Sequence, residues 1–560
     1  MNLLRLLSMA PAQASDRDPV LAPDRPPYRL LALGGASGVA SVVILAMVNS
    51  AAEEIMREGA DSVDWLLAGI TAVASIVFLF SQIWLIRDTA ARLEGGIDRM
   101  RARLLELLRI ADYRQLEQIG QAQLFQNVTQ NSQVISQNSH LVAIGLQSLV
   151  LIVAAMAYLL WLSTLAFFLV VAVIVVAGGI YAAMGRDLGA EYARNMGNEE
   201  RLFETATDLL DGIKEARMSS ARSHDLRASF AQVAAQTRQT ALRVHGMVFR
   251  QFIFGEIAIY FLLGVVVFLV PLYTQKISGD VQQVTTTVLF VVGPVGLVLQ
   301  IWTMLMSAEA AATRIFALGE QLAAISDPAL ATPMEAGLPA AFKEIRLEQA
   351  RFAYPAPAGE APFIVGPLSF TIPQGRITFI TGGNGSGKST LIKLLTGLYR
   401  PQGGELLLDR RPIVAFRLPA YREMIATVFS DYHLFRRLYG VPLVDQAEAD
   451  ELLRWFELDG RVAIRDGAFD TVELSVGQRK RLALIVALLE DKPIYVFDEW
   501  AADQDPHFRA KFYREILPAL KRRGMTIIAV THDDHYFDAA DHRVHLEIGQ
   551  ARIVNGEGQG

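Results

Sequence analysis

The sequence has no cysteine, which removes disulfide frameworks, thiolate metal sites and cysteine nucleophiles from consideration. Charge is also sparse. Charged residues make up 20% of the chain and the formal net charge is −6, so there is no global basic field to suit nucleic acid. Apolar surface is what the chain has in excess: 52% of residues are hydrophobic and mean hydropathy is +0.29. At 560 residues the chain exceeds what one hydrophobic core organises. The excess is uneven, with long apolar runs filling the first three-fifths and the patterning of an α/β domain following them.

Six runs have the length needed to cross a bilayer as helices: 30–50, 65–86, 141–163, 164–184, 249–273 and 284–307. The third and fourth are nearly continuous and together exceed one span, so a tight turn is expected at Ser163 and Thr164. Arginines crowd the connections after the second run (Arg87, Arg92, Arg99, Arg101, Arg103) and the fourth (Arg186, Arg194, Arg201, Arg217), whereas 51–64 and 274–283 carry one base each. The bias towards basic residues on the cytoplasmic side places the long connections and both termini there. Apolar residues at helical spacing within those connections predict helices extending from the membrane, with 119–126 and 209–218 as candidate elements for coupling to another domain. The first 29 residues are short in apolar length and broken by Arg5. They are read as a surface-lying amphipathic segment rather than a cleaved signal. Glu256 falls inside the fifth run, where a carboxylate either serves cargo or protons or is hydrated near the helix end. Gly293-Pro294 in the sixth run is a potential hinge or a fixed bend.

Pro328, Pro333 and Pro339 mark 319–342 as a linker. Beyond it, the buried strand pattern RITFIT runs into Gly382-Gly383-Asn384-Gly385-Ser386-Gly387-Lys388-Ser389-Thr390 and then an apolar helix. Glycines let backbone N–H groups curl around phosphates at a helix N-terminus. Lys388 is placed to reach the β- and γ-phosphates and Ser389 to ligate Mg²⁺. Later, IYVF leads into Asp498 and Glu499, a carboxylate to hold Mg²⁺ through water and a general base for the attacking water.

Leu474-Ser475-Val476-Gly477-Gln478 followed by RKRLAL resembles the signature of ABC ATPases, with Val476 in place of the usual glycine. By the same resemblance His532 is the switch histidine, Tyr354 the aromatic that stacks on adenine, and Asp505 the aspartate of the D-loop. Ser430, followed by Asp431, stands where the family has a glutamine, so the metal contact usual there is in question. The resemblance covers the whole chain. It implies an α-helical six-span ABC exporter membrane domain plus an α/β P-loop ABC ATPase domain, divided as 1–29, 30–318, 319–342 and 343–560. It further implies ATP and Mg²⁺ as cofactors and a second half-transporter as partner, by preference in a homodimer. In that dimer Ser475 and Gly477 would complete the nucleotide site across the interface.

FSDYHLF, LSVGQRKRLAL, DEWAADQDP, THDDHYF and DGIKEARM are similar to the bacterial cyclic-peptide exporter group, which serves pyoverdine precursors, syringomycin-type lipopeptides and lasso-peptide microcins. The expectation is therefore ATP-driven export of a peptide-like cargo across the inner membrane by alternating access. Siderophore import, lipid or drug export, and a tethered ATP sensor are the alternatives.

Overall fold

The computed structural model describes residues 5–6, 28–58, 64–269, 279–330, 342–355, 359, 361–441 and 445–554. Most of the segment expected to lie on the membrane surface, and the middle of the expected linker, fall outside the described residues. Two compact units emerge. The first comprises the described residues within Met1–Arg109 and Ile119–Ala324, the second those within Ile110–Gln118 and Ile325–Gly560.

The first unit is helical. Its long helices are α1 (Tyr28–Glu58), α2 (Trp65–Ile110), α4 (Ser139–Leu162), α5 (Thr164–Met184), α6 (Leu188–Asp211), α8 (Ser220–Gly264) and α9 (Gly279–Ile325), with the five-residue α7 (Ile213–Arg217) joining α6 to α8. Short helical pieces, one of them a π-helix at Gln126–Asn131, lead into α4. Among the described residues, six helices are long and apolar enough to cross a membrane. Each buries only a minority of its apolar window inside the chain, 11% for Trp65–Ile110, and Trp65, Phe80, Trp84, Phe168 and Val175 stand exposed. Apolar exposure on this scale requires lipid or protein rather than water around it.

Ser163 makes the turn between the third and fourth spans. Its backbone is extended (φ −154°, ψ 111°) and its hydroxyl accepts from Ala166 N–H, so it terminates α4 and caps α5. Helix α9 runs through Pro294 to Ile325, so the first residues of the expected linker are helical.

The second unit is built on a six-stranded sheet: β3 (Ile377–Gly382), β6 (Ile425–Val428), β7 (Ile494–Asp498), β8 (Thr526–Val530), β9 (His542–Glu547) and β10 (Gln550–Ile553), in spatial order β10-β9-β3-β8-β7-β6. All neighbours are parallel except β9 and β10. A four-stranded antiparallel sheet of β1 (Glu344–Ala353), β2 (Ile364–Pro373), β4 (Gly403–Leu408) and β5 (Arg411–Pro412) accompanies it, in the order β2-β1-β4-β5. The central strands are buried on both faces. Tyr495 and Phe497 enter one core with Phe379, Ile527 and Ala529, while Ile494 and Val496 enter another with Ile380, Ile528 and Val530. A period of two with apolar residues on both sides explains why these strands read as continuous hydrophobic runs.

A short helix from the chain between the first two spans and the third, α3 (Tyr113–Ile119), belongs mostly to this second unit. Its root is fastened by a bridge between Ala111 and Ser326, and by backbone bonds from Asp112 N–H to Ile325 and from Asp327 N–H to Ile110.

Candidate active site

Register brings the site together. Val530 pairs with both Ile380 and Asp498, and Val428 pairs with Phe497. The carboxyl ends of β3, β6, β7 and β8 therefore lie along one edge, where parallel sheets bind ligands. The phosphate-loop residues, Ser430, Glu499 and His532 follow these strand ends directly.

Between β3 and helix α10 (Lys388–Leu395), Gly382, Gly385 and Gly387 adopt φ of 144°, 74° and 103°. A β-carbon on Gly382 would lie 2.2 Å from the Leu546 carbonyl oxygen and 2.8 Å from Ser386 Oγ. Only glycine fits there. Gly383, Asn384, Gly385 and Ser389 are exposed, whereas Ser386, Lys388 and Thr390 are buried. Lys388 Nζ donates to the Gly382 and Gly383 carbonyls at 3.2 and 3.0 Å and sits 3.8 Å from Glu499 Oε1. His532 Nε2 approaches that same Glu499 oxygen at 3.1 Å. Glu499 has a left-handed backbone, φ 49° and ψ 36°, a conformation that costs a non-glycine residue on the order of 1–3 kcal/mol and recurs at functional sites. Tyr354 hydroxyl lies 3.1 Å from Thr390 Oγ1 and its ring meets Phe352 edge-on at 5.2 Å.

Asp498 is 3% exposed. Ser430 Oγ donates to its Oδ2 at 3.1 Å, while Oδ1 is buried without a partner. Burial pushes this carboxyl above the usual aspartate range, opposed in part by the Ser430 hydrogen bonds. A buried carboxylate oxygen awaiting a partner, beside an exposed hydroxyl and a phosphate cradle, is an all-oxygen donor set suited to Mg²⁺ carried in with a nucleotide. Asp431 is exposed and its side chain has no hydrogen-bond partner among the described residues. Ser430, rather than Asp431, is the residue at this position that reaches the aspartate.

The signature segment occupies the start of helix α11 (Val476–Leu489). Ser475 and Gln478 form a reciprocal capping box, with Leu474 packed against the adjoining core. Val476 is 50% exposed, so its side chain is accommodated. At Gly477 a β-carbon would lie 2.9 Å from the Asp503 carbonyl oxygen. The departure from the family pattern thus falls where the backbone tolerates it.

Sequence reasoning passed over Lys480 and Arg481. Lys480 Nζ pairs with Asp503 at 2.6 Å and donates to the Glu499 carbonyl at 3.1 Å. Arg481 pairs with Asp505 at 2.6 Å, donates to Gln504 Oε1 at 2.9 Å and lies 3.6 Å from the Phe508 ring centroid. These contacts tie the signature helix to the backbone of Glu499 and to the D-loop. The basic RKR run immediately after the signature was the available signal. Asp505 also caps the next helix through Phe508 N–H. That bond, with the Arg481 charge and hydrogen bond, holds its carboxyl below the usual range against the opposing effect of burial.

Glu256 is exposed on α8 in the helical unit, with Phe252, Ile257 and Tyr260 exposed around it. It belongs to the first unit, whereas the nucleotide motifs all belong to the second.

A phosphate loop, a buried aspartate and a histidine-bonded glutamate at one sheet edge define an ATP-hydrolysing domain, here carried on a chain with six membrane-length helices. Residues 365–502 match the profile of the ABC transporter family. The ATP-binding protein SyrD of Pseudomonas syringae pv. syringae is 30% identical over 93% of this chain and 92% of its own. An ATP-dependent lipid A-core flippase of Chromohalobacter salexigens is 25% identical over 75% of this chain and 73% of its own. A bacterial Atm1-family ABC exporter solved with ATP bound superposes with a TM-score of 0.74 at 19% identity, covering 94% and 93% of the two chains. The chain belongs to the ABC transporter family as an exporter-type half-transporter, a multi-pass membrane protein that couples ATP hydrolysis to transport.

Proposed function

We propose that this protein exports a peptide-like natural product across a bacterial inner membrane, working as a homodimer with its nucleotide-binding domain and both termini in the cytoplasm. The cargo reading is supported by the resemblance of FSDYHLF, LSVGQRKRLAL, DEWAADQDP, THDDHYF and DGIKEARM to the bacterial cyclic-peptide exporter group, together with a match to the ATP-binding protein SyrD that runs along nearly the whole chain. Lipid movement is the second reading, favoured by the lipid A-core flippases among its relatives.

ATP binds with its phosphates in the loop from Gly382 to Thr390 and its adenine on Tyr354. Ser389 and Asp498 would hold Mg²⁺, which would supply positive charge to the phosphate oxygens. Glu499 takes a proton from the water that attacks the γ-phosphorus, and the bond to the bridging oxygen breaks to leave ADP and phosphate. His532, bonded to Glu499, fixes that carboxylate in place. Leu474 to Gln478 of each chain completes the site of its partner. Closure of the cassettes is passed to the spans through α3 and α7, and the cavity opens outward.

Glu499→Gln keeps the shape of the site and removes the base. ATP-dependent uptake of a cyclic peptide into inside-out proteoliposomes is expected from the wild type and absent from the variant, which still binds ATP. Uptake of lipid but not peptide would favour the second reading, and sustained uptake by the variant would overturn the role of Glu499.

A further inference from the structure

The approach to the third span has a composition found in no other helical extension of this chain. Residues 118–185 contain no Asp, Glu, Lys or Arg, although the extensions around Arg92–Arg109 and Glu199–Arg227 are dense in charge. Amides take their place: Gln121, Gln123, Gln126, Asn127, Gln130, Asn131, Gln133, Gln137 and Asn138.

Folding sorts these amides by face. The asparagines turn inward and are spent locally. Asn127 donates to the Gln123 carbonyl, Asn131 to Asn127 Oδ1, and Asn138 to the Val134 carbonyl. The other side of the segment is different. Gln130, Gln133, Gln137 and His140 are all exposed, and none of their side chains has a hydrogen-bond partner among the described residues. Their spacing of three, four and three residues keeps them near one side of the successive helical pieces that run from the π-helix into α4. Gln147, half-buried a further seven residues on, extends the row into the apolar span. From Gln130 to Gln147 the row measures about 25 Å at 1.5 Å per residue.

We propose that this row is a cargo-binding site that takes the peptide backbone of the transported molecule. The inference rests on the peptide-export reading. Each glutamine offers two N–H donors and a carbonyl acceptor, the complement of a peptide group, which carries one of each. A peptide leaving water for the membrane must keep its amides paired or lose several kcal/mol at each. A neutral ladder supplies successive partners without the desolvation cost of an ion. The lack of charge selects for neutral backbone over phosphorylated or strongly ionic cargo. The row leads from the helical extension into the third span.

The test uses the full-length protein in proteoliposomes and two probes, a neutral cyclic hexapeptide and the same ring N-methylated at every amide. The readout is the peptide concentration giving half-maximal stimulation of ATP hydrolysis. In the wild type the N-methylated ring should require about tenfold more, the effect of one to two net hydrogen bonds. In Gln133→Leu with Gln137→Leu that ratio should fall towards one. Asn at both positions, which retains the amides, should preserve most of it. Gln239→Leu, an exposed glutamine on α8, should leave it unchanged.

An unaltered ratio in the leucine pair, or an equal loss in Gln239→Leu, would overturn the proposal. Dissociation of the dimer by the leucine pair would assign the row to subunit contact instead and would overturn it as well. If the leucine pair does not fold, a benzophenone crosslinker in place of Gln137 decides the matter. Labelling by a biotinylated ring, displaced by unlabelled ring, supports the site, and no displaceable labelling refutes it. If neither ring stimulates the wild type while lipid A does, the peptide-export reading itself fails and the backbone site with it.

Discussion

At the residue scale, the signature shows how one position admits change and its neighbour does not. Val476 begins a helix with its side chain half in solvent, so Val476→Gly should cost no more than about 1 kcal/mol of helix propensity and leave ATP hydrolysis near the wild-type rate. Gly477 lies against the Asp503 carbonyl, and its own carbonyl accepts from Gln504 at 3.0 Å. Gly477→Ala should push the D-loop away, with an overpacking cost of about 1–3 kcal/mol and a clear loss of turnover. Steady-state hydrolysis and thermal unfolding of the two variants side by side check both expectations. Equal behaviour would show that the contact with Asp503 has no consequence.

The same scale shows what serine does where the family has glutamine. Its hydroxyl is short, and it meets the buried carboxylate of Asp498 directly. No part of that contact is visible in the motif, because it depends on β6 and β7 being neighbours in register.

At the scale of elements, two packed joints carry predictions. Asp541 accepts from Ile377 N–H at 2.9 Å and pairs with Lys521 and Arg376, fastening the start of β3. Burial pushes its carboxyl up, but the hydrogen bonds and the two cations outweigh it, leaving it below the ordinary value of 3.8. A depressed folded-state pKa stabilises the fold above the unfolded value and loses that contribution as pH falls through the folded one. Asp541→Asn should therefore lower the unfolding temperature at neutral pH. The gap from wild type should narrow as the pH drops below about 4. A gap independent of pH would count against the ion pairs as its origin.

The second joint is α3. Glu117 receives hydrogen bonds from Lys393 on the phosphate-loop helix and from Tyr399, at 2.8 and 2.6 Å. Lys393 also faces the rings of Tyr113 and Tyr399 at 5.5 and 5.0 Å, and Arg114 faces that of Phe352 at 5.1 Å. The piece of the connection between the second and third spans that grips the nucleotide domain is thus 113–117, a few residues before the 119–126 segment expected from the sequence. Glu117 is charged and Tyr113 carries a polar hydroxyl, so apolar periodicity alone did not mark them as contact residues. Glu117→Ala should lower cargo uptake per ATP hydrolysed, measured by paired uptake and phosphate-release assays on the same vesicles. An unchanged ratio would remove α3 from the coupling path.

At the scale of the whole molecule, one cassette per chain and the proposed completion of each site by the partner's signature would make hydrolysis a property of two chains. Co-reconstituting wild type with Glu499→Gln at equal amounts should depress hydrolysis below the sum expected of wild-type chains acting singly. Strict additivity would indicate independent sites. The exposed Leu210, Ile213 and Met218 around α7 are the other feature at this scale, apolar residues standing where α6 gives way to α8.

The sequence by itself determined the six spans, their turn at Ser163, the α/β cassette and the order of the nucleotide motifs. Each depends on local chemistry: runs of apolar residues, glycines that permit positive φ, and strand patterns that precede acidic residues. Tertiary structure alone decided which side chains meet. Strand register put His532 and Lys388 on one oxygen of Glu499 and gave Asp498 a serine. Helix packing tied Lys480 and Arg481 to the D-loop, and folding separated the bonded asparagines from the open glutamine row. Those pairings join residues distant along the chain, and their strength depends on burial and direction, which no linear spacing specifies.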